Sequence, residues 1–173
     1  MILSLVPHPD FRGAALASIV VEVARRGPDR LDLTYLARGR IGDLALPSPS
    51  RPARTDELWR RTCFEAFLRP PGGEAYLELN FAPSSAWAAY RFDAYRSGMV
   101  PAGVAAPAIE TRAGPAPLAV RVALTLPEPI AGARLALSAV IEESAGAKSF
   151  WALAHPPGRP DFHADAGFAA TLA

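Results

Sequence analysis

At 173 residues, half of them apolar, the chain is long enough to bury a core without disulfides or metal staples and too hydrophobic to be disordered. Its formal net charge of +1 excludes the basic excess expected of a nucleic-acid binder. A lone cysteine, Cys63, rules out an intrachain disulfide and fits a reducing compartment.

The first ten residues, MILSLVPHPD, have no basic region and break at Pro7, too short an apolar run for a signal peptide. No run approaches the roughly 18 apolar residues a membrane helix requires. These features predict a soluble, cytoplasmic protein without a membrane partner. LDLTYLA then alternates, with Leu31, Leu33, Tyr35 and Ala37 on one side and Asp32 and Thr34 on the other. Residues 39–55 are rich in Pro, Gly and Ala and read as a long loop, and Thr55 is placed to cap a helical turn through DELWRR. Residues 96–117 read as a second long loop. LAVRVALTL alternates from Leu118, with Arg121 and Thr125 opposite the apolar set, and ARLALSAVIEES begins the same way at Ala133. Frequent strands with no long amphipathic helix between them predict an all-β chain: one antiparallel β-sandwich domain over residues 1–173, with long loops.

The stretch from Thr62 to Tyr95 divides at PPGG and APSS into three strands. In the first, Phe64, Ala66 and Leu68 share a face and Cys63, Glu65 and Phe67 take the other. In the second, Ala75, Leu77, Leu79 and Phe81 alternate with Glu74, Tyr76, Glu78 and Asn80. In the third, Ala88, Tyr90, Phe92 and Ala94 alternate with Trp87, Arg91, Asp93 and Tyr95. Short connections make successive strands neighbours, so Glu65, Glu78, Asn80, Arg91 and Asp93 are predicted to share one face with several aromatics. Such a face is either solvated, with Arg91 pairing Glu65 or Glu78, or built for a polar ligand with apolar patches, such as a sugar.

The blocks LWRRTCFEAFL, AYLELNFAPSSAWAAYRFDAYRSGM and KSFWALAHPPGRPDFH resemble the bacterial DOMON-like proteins, relatives of family-nine carbohydrate-binding modules. The resemblance covers about residues 55–99 and 145–168. It implies a jelly-roll-like sandwich that holds a ligand on its concave sheet without catalysis. It implies a sugar clamped between two tryptophans, here Trp59 and Trp151, with Lys148 nearby and Glu65 and Arg91 bonding hydroxyls. DOMON-type domains that bind haem through Met and His make Met99, His155 and His163 alternative ligands.

PDFHADAGF places Asp161, His163 and Asp165 at alternate positions. On a strand they would share a face and suit a divalent metal, calcium if loop carbonyls add oxygens. Otherwise Asp161 caps a turn and His163 contacts backbone. The chain carries no G-x-S-x-G, P-loop, dinucleotide fingerprint or C-x-x-C. Glu65 and Glu78 remain an alternative glycoside-hydrolase pair, and a protein-interaction module is a further alternative. The reading that follows is a ligand-binding protein, with no catalytic residue and no resident cofactor.

Overall fold

The four apolar residues Leu31, Leu33, Tyr35 and Ala37 are buried along one strand of the computed structural model, which describes residues 1–114 and 117–173. The strands in chain order are β1 (Ile2–Pro7), β2 (Leu16–Arg25), β3 (Arg30–Gly39), β4 (Ala53–Arg54), β5 (Cys63–Arg69), β6 (Tyr76–Phe81) and β7 (Ala86–Phe92). They continue with β8 (Val100–Pro101), β9 (Ala108–Arg112), β10 (Leu118–Thr125), β11 (Arg134–Glu142), β12 (Lys148–Ala152) and β13 (Ala170–Thr171). Among the described residues the only helices are three single 3-10 turns. No helix there is long and apolar enough to cross a membrane.

Hydrogen bonding is continuous along the order β4-β7-β6-β5-β11-β12-β1-β2-β3-β10-β9, with β8 on β7 and β13 on β11. The hinge is β1: Leu3 to Leu5 pair with β2, while Val6 and Pro7 pair with Ala152 and Trp151 of β12. The expected sandwich is therefore one curled sheet, a half-barrel. It is mixed rather than purely antiparallel, because β4 runs parallel to β7. Curling brings β2, β3 and β10 opposite β5, β6 and β11, and one apolar cluster fills the space between them, from Ile19, Leu33 and Val120 to Phe64, Leu79 and Leu137. Tyr35, fully buried, crosses that space: its ring packs on Phe64 and its hydroxyl donates to the Glu65 carbonyl oxygen at 2.8 Å.

The two predicted loops contain structure of their own. Residues 39–55 hold a 3-10 turn at Ile41–Asp43, which buries Ile41, and the two-residue β4. Residues 96–117 hold β8 and β9, the latter alternating in exposure along AIETR; Pro115 and Ala116 lie outside the described residues. The turn expected at Thr55 forms later, at Leu58–Arg60, because Glu57 takes a left-handed conformation (φ 61°) and opens it without a side-chain cap.

Tyr35→Phe removes one buried hydroxyl that joins the two halves of the sheet. It should lower stability by about 1–2 kcal/mol in urea denaturation, and an unchanged midpoint would show that the cross-link contributes nothing.

Candidate functional site

On the side of β5 away from the apolar core, the register decides which side chains meet, since directly opposed residues in antiparallel strands share a face. Glu65 stands opposite Asn80 of β6 and Ser138 of β11. Glu78 stands between Phe67 of β5 and Tyr90 of β7. This face thus carries Glu65, Glu78 and Asn80 as predicted, with Phe67, Tyr76, Tyr90, Phe92 and Ser138. Arg91 and Asp93 do not join it. Arg91 opposes Leu77, on the other side, and its guanidinium pairs with Asp93 at 3.0 Å on the surface. The correction is a one-residue matter of register: Phe81 and Trp87 face each other in the core, which turns Tyr90 rather than Arg91 toward Glu78.

Two loops and a turn cover the face. The segment after β12 is pinned by Asp165, which accepts from Arg69 at 2.5 Å and Arg134 at 2.8 Å. Asp161 pins it again, accepting from the Tyr95 hydroxyl at 2.5 Å and Arg96 at 2.8 Å. Between those anchors His163 points back to the sheet. The turn carrying Trp59 is held by Tyr90, whose hydroxyl donates to Asp56 at 2.5 Å, and by Lys148, whose Nζ donates to the Arg60 carbonyl at 2.6 Å. The tight turn after β7 requires Gly98 at φ +67°, where a Cβ would collide with the Asp93 carboxylate. That turn presents Arg96 and Met99.

These coverings enclose a cavity of about 420 Å³ whose floor is Glu65, Phe67 and Glu78 and whose walls include Trp59, Phe92, Arg96, Met99, Phe150, Phe162 and His163. Asn80 lies beneath, fully buried, and donates to Glu78 Oε1 at 2.8 Å. Ser138 donates to Glu65 Oε2 at 2.9 Å. The Tyr76 hydroxyl accepts the Arg96 backbone N–H at 3.2 Å and is hydrogen-bonded to His163 Nδ1 at 2.8 Å. The other ring nitrogen, Nε2, lies 3.7 Å from Glu78 Oε2.

Burial dominates the electrostatics. It pushes the Glu65 carboxyl up to about 8, with the Glu78 charge adding to the rise and the Ser138 bond opposing it. Burial also raises Glu78, against the Asn80 bond and the Arg96 charge. His163 is lowered to about 4 by burial and then by Arg96, with Asp161 opposing, so the imidazole is neutral at pH 7 and its contact with Glu78 is no ion pair. Asp161 stays below its ordinary value: burial works against ionisation, but the Tyr95 and Arg96 hydrogen bonds prevail.

Of the two predicted tryptophans, Trp59 lies at the cavity and is partly exposed, edge-on to Tyr90. Trp151 does not: it belongs to the opposite, core face of β12, 2% exposed, its indole N–H donating to Ser149. Its neighbour Phe150 takes the place at the cavity wall. Lys148 supports the Trp59 turn from outside. Asp161, His163 and Asp165 do not converge, because their segment is a loop ending in a 3-10 turn, not a strand, and each carboxylate is committed to arginine. Among the described residues no cluster of three or more His, Cys, Asp or Glu is arranged to hold a metal. Of the donors suggested for haem, Met99 lines the cavity. His155 lies outside the cavity, its Nε2 2.9 Å from the Val6 carbonyl, and both nitrogens of His163 face protein groups. Arg96, Phe162 and Phe150 were unreadable as site residues; Phe67 and Tyr76 were readable from their alternation with the core set.

This fold is shared with a solved structure. It is that of a candidate carbohydrate-binding protein from Bacteroides uniformis, with a TM-score of 0.67 at 14% identity over 99% of this chain and 85% of the other. No protein-family model matches the sequence, and no curated protein matches it.

Because Glu65 is held above its ordinary value, the folded state retains a proton that the unfolded chain releases. Its contribution is therefore most favourable below about pH 4.5 and declines as pH rises to about 8. Glu65→Gln should flatten that part of the stability profile and gain on the wild type at alkaline pH. Parallel profiles in denaturant titrations from acid to alkaline pH would contradict the assignment.

Proposed function

We propose that the chain binds a small polar ligand, a carbohydrate by preference, without catalysis, in the cavity over Glu65 and Glu78. The observation that carries this reading is the composition of that cavity: buried carboxylates at the floor, aromatic rings around them, and one partly exposed tryptophan, Trp59, at the wall. Planar hydrogen-bonding groups set among aromatic faces suit a molecule with polar edges and apolar faces. The shared fold with a candidate carbohydrate-binding protein supports the same class of ligand. Kinship with the DOMON-like proteins and family-nine modules, and a jelly-roll built as one domain, are part of the same proposal and rest on the sequence blocks around Trp59, Glu65 and Trp151 alone.

In this reading Trp59 and Phe150 supply stacking, while Glu65 and Glu78 bond hydroxyls. Asn80 and Ser138 orient the two carboxylates from below and the side. Arg91, Asp93, Lys148 and Trp151 drop out of the contact set. The long covering loops are walls of the cavity rather than a docking surface for another protein.

Tryptophan fluorescence of the purified protein, titrated with a panel of mono- and disaccharides, should show a saturable change for at least one sugar. Trp59→Ala should weaken that binding by about 1–3 kcal/mol without unfolding the chain. Silence across the whole panel would contradict the carbohydrate reading. Turnover of activated aryl glycosides, abolished in Glu65→Gln, would contradict a non-catalytic role.

A further inference from the structure

Two carboxylates form the floor of the cavity, and among the described residues neither has an arginine or lysine within ion-pair distance. The basic side chains around them are engaged elsewhere. Arg96, in the wall, pairs with Asp161, and Arg69 and Arg134 pair with Asp165. Lys148 donates to the Arg60 carbonyl. His163 turns a neutral ring toward Glu78 at 3.7 Å. Among the described residues, Glu65 accepts a side-chain hydrogen bond only at Oε2, from Ser138, and Glu78 accepts one only at Oε1, from Asn80. One oxygen of each carboxylate is left to the cavity contents. Around them stand the rings of Trp59, Phe67, Phe92, Phe150 and Phe162.

Carboxyl groups without a paired counter-charge, lined by aromatic rings and acceptor-only once ionised, are the chemistry that recognises an organic ammonium. Its N–H donors fit carboxylate oxygens, and ring faces attract its charge. A neutral hydroxyl would leave Glu65 holding its proton, whereas an ammonium lets both carboxyls ionise against it. We propose that the cavity takes a cationic ligand and, resting on the carbohydrate reading, that this ligand is an amino sugar whose ammonium group sits against Glu65 and Glu78.

The groups around the carboxylate pair are Cys63 and Tyr35 beside Glu65, Tyr76 and Tyr90 beside Glu78, Asn80 and Ser138 bonding the two carboxyls, and Arg96 and His163 from the covering loops. Cys63 is held uncharged by burial, then by Glu65 itself. The proton that leaves when a cation binds is therefore the one on the carboxylate pair, whose pKa values both stand above the ordinary range. A fixed cation should bind more tightly as pH rises through neutrality and should release protons to the buffer.

Calorimetry of the full chain with glucosamine, glucose and tetramethylammonium chloride tests this. Glucosamine should bind on the order of tenfold more tightly than glucose at neutral pH. Tetramethylammonium, whose charge does not titrate, should bind with an affinity that rises from about pH 6 to about pH 9. Glu65→Gln should keep the fold, seen by circular dichroism, while losing both the preference and the pH dependence. Equal affinity for the two sugars with no response to tetramethylammonium overturns the inference and leaves the carbohydrate reading intact. Binding of tetramethylammonium with no sugar bound supports the cation site and overturns the carbohydrate reading. No binding by any of the three overturns both.

Discussion

Strand β5 is covered on both sides, and the rest of the molecule is arranged around that constraint. Phe64, Ala66 and Leu68 face the apolar core between the two halves of the curled sheet. Cys63, Glu65 and Phe67 face a second layer built from loops, and all six of these residues are buried. A carboxylate at such a position has little access to water. With another carboxylate on the same wall, and Arg96 of that wall committed to Asp161, protonation or an incoming cation are the ways to lower its energy. An apolar residue at position 65 would have packed more simply, so the acid at this place is best understood through what it meets in the cavity.

The covering layer depends on paired charges rather than on regular structure. Asp161 and Asp165 tie the segment after β12 to Arg96, Arg69 and Arg134, and the stretch between them carries Phe162 and His163 to the cavity. Tyr76 links that segment to the sheet through His163 Nδ1 and to the turn after β7 through the Arg96 backbone. Residues far apart in the chain are thus held on one polar network, and the volume over Glu65 is defined by it. Individually, exposed ion pairs contribute little. Here several converge on one loop, with Arg69 and Arg134 both lying near the Phe168 ring.

The strands with one wet face were legible because polarity labels the faces: Asp32 and Thr34 mark the outside of β3, and Arg121 and Thr125 that of β10. The strand β7 was not. Trp87 and Ala89 point into one buried layer and Ala88, Tyr90 and Phe92 into another, so alternation gave the period without the sign. Glu65, Glu78 and Asn80 were legible as a set because neighbouring strands with short connections fix their relation. Arg91 and Asp93 were placed with them on polarity alone, which the pairing of Phe81 with Trp87 overrules. The hinge at β1 left no local mark, because a strand that changes partners half-way along has the same alternation as one that does not. Nor did the loops, whose contacts span long separations: Arg96 reaches Asp161 across 65 residues.

The central claim is that the volume between Glu65, Glu78 and Trp59 receives the ligand, and a crystal structure of the protein soaked in glucosamine tests it most directly. The account predicts density for the sugar in that cavity, its amine within hydrogen-bond distance of Glu65 and Glu78 and its ring against Trp59 or Phe150. Density for the sugar on the other face of the sheet, beside Arg91, with the cavity holding water alone, would contradict it.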